Sequence, residues 1–101
     1  MARLEMHLTK EQYNALECLA YWIADLHYMR ERYGDKEPEL DTARKTIELC
    51  CFPKLDALKV PFWVQNSVIC WAENWRAYKD QYFYSFLESK NIFVDLREVI
   101  A

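Results

Sequence analysis

The sequence predicts a mainly helical α+β fold, with a three-helix core, two long and roughly antiparallel helices, and a small sheet made from the N- and C-terminal strands. Two observations predict it. Apolar residues recur every three or four positions through most of the chain, and strict alternation of apolar and polar residues replaces that spacing near both ends. With 101 residues and one glycine, the chain suits a single domain, residues 1–101, without flexible linkers.

The first predicted elements are a short strand and a long helix. Residues Arg3–Leu8 alternate apolar and polar side chains, which is typical of a half-buried strand. Thr9 then offers an N-cap, and Gln12 completes a capping box. The helix that follows, Lys10–Tyr33, has one apolar side, and Gly34 supplies its stop.

The middle of the chain predicts a second, shorter helix. Pro38 suits its first position, and its apolar stripe ends before Pro53, where we expect the helix to end. The stripe consists of Leu40, Ala43, Ile47, Cys50 and Cys51. Residues Lys54–Val60 are expected to form either one extra turn or a plain connection.

The third predicted helix is long, from Pro61 to Glu88. Its aromatic residues recur every three or four positions and share one face, which we interpret as core. These residues are Trp71, Trp75, Tyr78, Tyr82 and Phe86. A second apolar wing lies further round the helix and consists of Phe62, Ile69, Phe83 and Leu87. An unbroken helix of this length would measure about 40 Å, so we expect it to kink or to protrude.

The tail, Asn91–Ile100, returns to alternation, with Ile92, Val94 and Leu96 apolar. We predict a final strand that pairs with the first. The sequence leaves open whether the two strands pair within one chain or between chains, since a two-stranded sheet has exposed edges that a second copy could cover.

The charge and hydropathy of the chain argue against two classes of partner. The net charge is −3, with no run of like charges, so the phosphate neutralisation used by nucleic-acid binders is not expected. Bases could stack on the aromatic face, but such platforms lie in basic grooves, and Lys79 is the only cation in this stripe. No apolar run approaches the ~20 residues of a membrane span, and we predict a cytoplasmic protein with no membrane partner.

The four cysteines do not predict a metal site, because zinc-type spacings are absent. Cys18, Cys50 and Cys51 lie on or beside apolar stripes, where a free cysteine behaves as a small hydrophobe. Cys70 falls on the polar back of the third helix. We therefore predict reduced thiols, no metal and no cofactor.

No arrangement of residues predicts catalysis. Asp25 and His27 lie about 200° apart on one helix, so they do not form a dyad. No serine or cysteine has an identifiable base, and no glycine-rich loop could hold a phosphate. We predict that the protein is not an enzyme.

The functional prediction rests on large side chains that lie where burial does not require them. These protein-binding candidates are Tyr21, Tyr28, Arg32 and Tyr84. Tyrosine and arginine are enriched among the residues that contribute most to protein interfaces. We therefore predict a non-enzymatic protein-binding module, an adaptor or an inhibitor that occludes a protein partner. Its small size and simplicity suggest a mobile-element or phage-type inhibitor of a bacterial defence complex.

Two alternatives stay open at this point. The first is a small-ligand-binding, sequestering oligomer whose copies enclose an aromatic pocket lined by Trp63, Trp71, Trp75 and Tyr78. The second is a structural oligomer, in which the second apolar wing serves only self-association and a homodimer is the partner.

Overall fold

The computed structural model describes residues 4–94, which are mainly helical with one small sheet. In chain order the elements are β1 (Met6–Leu8), α1 (Lys10–Tyr33), α2 (Pro38–Thr46), a π-helical segment (Ile47–Cys51), α3 (Phe52–Ala57), α4 (Phe62–Glu73), α5 (Trp75–Asp80), α6 (Phe83–Ser89) and β2 (Ile92–Val94). The predicted mainly helical α+β fold is confirmed. None of the helices within residues 4–94 combines the length and apolar character that a bilayer span requires.

Helix α1 begins and ends as its sequence predicts. The Thr9 hydroxyl accepts a hydrogen bond from the Gln12 backbone N–H (3.1 Å), and the Gln12 side-chain oxygen accepts one from the Thr9 backbone N–H (2.9 Å). This is a complete capping box. At the other end Gly34 has a φ of 87°, which a residue without a Cβ adopts readily, and its N–H donates to the Arg30 carbonyl (2.9 Å).

The second helix does not end before Pro53, as the sequence predicts, but continues to Ala57. Proline lacks the N–H that an α-helix would place on the carbonyl four residues earlier. Here the preceding turn widens instead, and the Phe52 N–H donates to the Ile47 carbonyl, five residues back. The extra turn expected after Lys54 is thus formed, and Cys50, predicted on the apolar stripe, is exposed.

The prediction of one unbroken helix from Pro61 to Glu88 is wrong. The helix breaks first at Asn74 (φ −91°, ψ 84°), whose side-chain oxygen accepts the Ala77 N–H (3.4 Å) and caps α5. It breaks again at Gln81 (φ −126°, ψ 134°), where the backbone is extended before α6. A side chain that caps from within a helical pattern competes with the backbone hydrogen bonds of the helix, which explains the first break.

The second break reverses one predicted burial assignment. Tyr82, assigned to the core face, is 77% exposed. Phe83 of the second wing is only 8% exposed and packs within the chain. The break also folds α6 back, so that Phe86 stacks on Trp71 with ring centroids 4.5 Å apart. These two residues lie about 15 positions apart, which would be about 22 Å along an unbroken helix.

The remaining predicted core residues of the third helix differ in burial. Phe86 and Leu87 are buried, as is the Val64–Val68–Ala72 stripe of α4. The predicted core rings Trp71, Trp75 and Tyr78 are only half-buried, because α5 lies at the edge of the core. Phe62 of the second wing is 76% exposed.

Helices α2 and α3 run antiparallel to α1. Near the end of α1, Met29 packs with Leu40 and Ala43 of α2. Near its beginning, the Gln12 side chain donates a hydrogen bond to the backbone carbonyl of Leu58, just after α3 (3.0 Å). The antiparallel pair of helices is therefore α1 and the continuous α2–α3 helix, whereas the two long helices of the prediction are the first and the third.

Helices α4 and α5 run in the same direction as α1. The chain enters α4 from the connection that contacts the beginning of α1, and at the end of α4 Glu73 lies 3.8 Å from the His27 ring. Glu31, near the end of α1, binds Trp75 and Arg76 of α5. The antiparallel partner of α1 is thus the second predicted helix rather than the third.

The two strands pair in parallel within one chain. Met6, His7 and Leu8 stand opposite Ile92, Phe93 and Val94. Parallel neighbours need a long crossover connection, which the helices between the strands supply. Leu8 and Ile92 turn into the core that α1, α4 and α6 share. Arg3 and residues 95–100 of the predicted strands lie outside the described residues.

The two breaks in the third predicted helix lead us to expect effects of very different size on stability for two aromatic substitutions. Phe86→Ala should lower the free energy of unfolding by about 3–5 kcal/mol, because it empties a buried site stacked on Trp71. Tyr82→Ala should change it by less than about 0.5 kcal/mol, since that ring is largely in solvent. Urea unfolding followed by circular dichroism measures both. A comparable large loss for Tyr82→Ala would contradict the second break.

Candidate functional site

An open groove lies between one side of α1 and helix α5. The groove has a volume of ≈ 280 Å³. We call it the aromatic groove; its lining residues are Tyr21, Ala24, Asp25, Tyr28, Trp75, Tyr78 and Lys79. Four aromatic side chains, one acidic side chain and one basic side chain therefore line the same groove.

Helical spacing and the break at Asn74 together build the groove. Tyr21, Asp25 and Tyr28 are separated by four and three residues, so they share one face of α1. Helix α5 turns away from α4 at Asn74 and lies against that face. None of the α5 residues is fully buried, and this wall of the groove contacts the hydrophobic core through the half-buried Trp75 and Tyr78 rings.

A carboxylate on α1 binds α5 at one end of the groove. The Glu31 carboxylate accepts hydrogen bonds from the Trp75 indole N–H (2.6 Å) and from two nitrogens of the Arg76 guanidinium (2.6 and 3.1 Å). The guanidinium also lies over the Trp75 ring, 4.4 Å from its centroid. We call these three residues the Glu31 clamp. Hydrogen bonds from Arg76 and then Trp75 lower the pKa of Glu31.

Tyr28 and Trp75 meet edge to face, with centroids 5.1 Å apart and planes at 85°. This pair lines the aromatic groove and also a neighbouring cavity of ≈ 270 Å³, which we call the clamp cavity. The clamp cavity is lined by Tyr28, Glu31, Arg32, Trp75 and Arg76. The two rings thus border both spaces.

The groove continues at its other end into a third open cavity. Tyr78 and Lys79 line both, and the third cavity also contacts Glu17. The three cavities lie next to one another along α1 from Glu17 to Arg32, a distance of about 22 Å. Burial, and then the nearby Glu17 carboxylate and Tyr21, raise the pKa of Tyr78, so its phenol stays protonated and can donate a hydrogen bond at neutral pH.

The structure brings three of the four protein-binding candidates together. Tyr21 and Tyr28 line the aromatic groove, and Arg32 lies at its end, 5.9 Å from the Tyr28 ring centroid. Tyr84 lies apart on α6, half-buried against the core, with its ring stacked beside Tyr82 at 6.0 Å.

The residues predicted for a ligand pocket divide in the same way. Trp75 and Tyr78 line the aromatic groove. Trp71 instead stacks on Phe86 and donates its indole N–H to Gln81 (3.2 Å). Trp63 packs against the core from α4 and does not line the groove.

Sequence reasoning missed Glu31, Asp25 and Lys79 as members of the site. Asp25 had a signal, since it lies one turn from both Tyr21 and Tyr28 on the same helical face. Glu31 and Lys79 had none, because their roles depend on where α5 lies, and the break that places α5 follows a pattern that is otherwise continuously helical.

No cysteine within the described residues lines this groove. Among residues 4–94, no three histidine, cysteine or acidic side chains are arranged to hold a metal ion. All four cysteines are free thiols. Burial raises the pKa of Cys51 to about 11, so this thiol is protonated at neutral pH.

Comparison with known proteins supplies no relative: no protein-family model, curated protein or solved structure matches the chain. Its function is therefore argued from the groove.

Acid should open the Glu31 clamp. The folded-state pKa of Glu31 lies below the ordinary glutamate value of about 4.3, so the clamp stabilises the folded state above that pH. Its contribution is lost as pH falls through about 4.3 towards the lower folded-state pKa. The NMR resonance of the Trp75 indole N–H should titrate with a midpoint below about 4.3. The same titration in Glu31→Gln, or a midpoint above that value, would contradict the clamp.

Proposed function

We propose that the protein is a non-enzymatic protein-binding module that docks a helical segment of a partner protein in the aromatic groove. One observation carries the proposal. Four aromatic rings from α1 and α5 line a single open groove, and one of them, Tyr21, remains 52% exposed. Clustered exposed aromatic surface of this kind is typical of a recognition site, because scattered single residues are the ordinary case.

The chemistry of the lining favours a protein partner. Tyrosine and tryptophan offer large contact areas with few rotatable bonds, so little conformational entropy is lost on binding. Tyr28 and Trp75 already hold each other edge to face, and the clamp holds Trp75. Part of the groove is therefore ordered before a partner arrives, which reduces the cost of association.

The arrangement of the three cavities favours a helix as the occupant. They are bordered mainly by α1 and α5, with Trp71 of α4 and Phe83 of α6 at the third cavity, and about 22 Å along α1 corresponds to about four helical turns. Amphipathic helices bind in such grooves by placing apolar side chains at spacings of three, four and seven residues. Asp25 on the α1 wall and Lys79 on the α5 wall would then contact opposite charges along the two edges of the docked helix.

Docking of this kind would make the protein an adaptor or an inhibitor according to what the captured helix does. An inhibitor would occupy a helix that another subunit of the partner complex needs. A phage-type inhibitor of a bacterial defence complex would act in this way, and this narrower form of the proposal rests on the size and simplicity of the chain.

The sequestering alternative has less support. The central cavity of ≈ 280 Å³ lies near the lower end of ligand-pocket volumes, about 300 Å³, and it opens at both ends into neighbouring cavities. Two of the four tryptophan and tyrosine residues that this alternative needs, Trp63 and Trp71, do not line it.

Photo-crosslinking from inside the groove tests the proposed function. With p-benzoylphenylalanine in place of Tyr21, irradiation in a native lysate should attach one protein, and mass spectrometry should locate the crosslink in a helical segment of it. The matched control places the same group at Leu49, which is 72% exposed on the π-helical segment. Identical adducts from both positions, or none from Tyr21, would contradict docking in the groove.

Affinity for the captured protein should fall when the groove loses an aromatic ring. Tyr21→Ala should weaken binding by about tenfold or more, since anchor residues typically contribute over 1 kcal/mol. Tyr33→Ala is the control, because Tyr33 is 59% exposed on α1 but does not line the groove. Calorimetry with the purified partner measures both, and equal effects of the two substitutions would count against the groove.

A further inference from the structure

The clamp cavity shows how this molecule holds a guanidinium group. Arg76 lies over the Trp75 ring at 4.4 Å, and the Glu31 carboxylate contacts it through two nitrogens at 2.6 and 3.1 Å. An aromatic face and a carboxylate act together here, one through the ring quadrupole and the other through charge-assisted hydrogen bonds.

The aromatic groove also combines an aromatic face with a carboxylate. Tyr28 and Trp75 line it, and Asp25 supplies a half-buried carboxylate. Within residues 4–94, Asp25 forms no ion pair and its carboxylate accepts no hydrogen bond from another side chain. The Asp25 carboxylate is therefore open to a cation that enters the groove, and such a cation would contact an aromatic ring at the same time.

We propose that the aromatic groove binds an arginine side chain of the partner segment, with its guanidinium against the Tyr28 and Trp75 rings and its charge paired with Asp25. This inference rests on the proposed function and names the chemistry that the groove selects. Arginine fits better than lysine, because its planar guanidinium stacks on rings and forms paired hydrogen bonds with a carboxylate.

Lys79 has the opposite effect on the same site. Its side chain lines the groove from α5, is exposed, and forms no ion pair within the described part of the chain. Its ammonium group repels an entering cation, although its flexible stem lets it turn towards solvent. Asp25 and Lys79 should therefore change the affinity for arginine in opposite directions, which a purely apolar groove would not do.

The test uses the full chain and two small probes of nearly equal shape. N-acetyl-arginine amide carries the guanidinium, and N-acetyl-citrulline amide replaces it with a neutral urea. In an NMR titration at constant ionic strength, the arginine probe should shift the Trp75 indole N–H and the Tyr28 ring resonances. We expect it to bind about three- to tenfold more tightly than the citrulline probe.

Three substitutions sharpen the test. Asp25→Asn should lower the affinity for the arginine probe by about three- to tenfold, and Lys79→Met should raise this affinity. Glu48→Gln is the matched control, since Glu48 is an exposed carboxylate on the π-helical segment that lines neither the aromatic groove nor the third cavity, and it should leave the affinity unchanged within about twofold. The comparison of the two probes on the unsubstituted protein decides the matter even if a substitution disturbs the fold.

Equal binding of the two probes, no binding of either, or shifts confined to residues outside the groove would overturn the inference. These outcomes are distinguishable from failure of the proposed function. A crosslinked partner at Tyr21 with no preference for arginine would remove only the arginine site, whereas arginine binding without any crosslinked protein would remove only the protein-docking function.

Discussion

The groove depends on the carboxylate of Glu31. Helix α5 has six residues and none of them is fully buried, so its own length does not stabilise it and it contacts the core only through partly buried rings. What binds it to α1 is the Glu31 clamp, together with the half-buried Trp75 and Tyr78 rings. Glu31 and Arg76 are about half exposed, so solvent weakens their pairing and the clamp contributes little to global stability. Its effect is local: it orients one wall of the site.

The two breaks in the third helix make that local arrangement available. The break at Asn74 separates α5 from α4, so that α5 can follow the surface of α1. The break at Gln81 turns α6 back onto α4, where Phe86 covers the Trp71 ring. The core is thereby completed by α6, and α5 is left to form a surface. A single unbroken helix would have given the chain a longer core element and no groove.

Much of the fold follows from local signals in the sequence. The capping box at Thr9 and the stop at Gly34 each act over a few residues and are where the pattern predicts them, and short strands, Met6–Leu8 and Ile92–Val94, lie within the two alternating segments. The errors occur where two local signals compete. Pro53 predicts a helix end, but the helix widens into a π-helical segment just before Pro53 and continues past it. The aromatic ladder predicts a continuous helix, but backbone capping by Asn74 interrupts it, and the second break, at Gln81, leaves Tyr82 exposed and Phe83 buried.

The site was predictable only on its α1 side, where Tyr21, Tyr28 and Arg32 share a face by helical spacing alone. Its α5 side depends on Trp75 and Arg76 contacting Glu31, which lies about 45 residues away in sequence. Long-range contacts of this kind leave no periodic trace, so the pairing of Glu31 with Arg76 could not be identified from the sequence. The protein-binding function stays a proposal that rests on this arrangement.

The central claim, that Glu31 holds the α5 wall of the groove, is tested most directly by NMR distances between ring protons. In the native protein, nuclear Overhauser effects should connect Tyr28 with Trp75 and Trp71 with Phe86. In Glu31→Ala, the Tyr28–Trp75 effects should disappear while the Trp71–Phe86 effects remain. Persistence of the Tyr28–Trp75 effects in the variant would show that α5 is held by something else and would contradict the account.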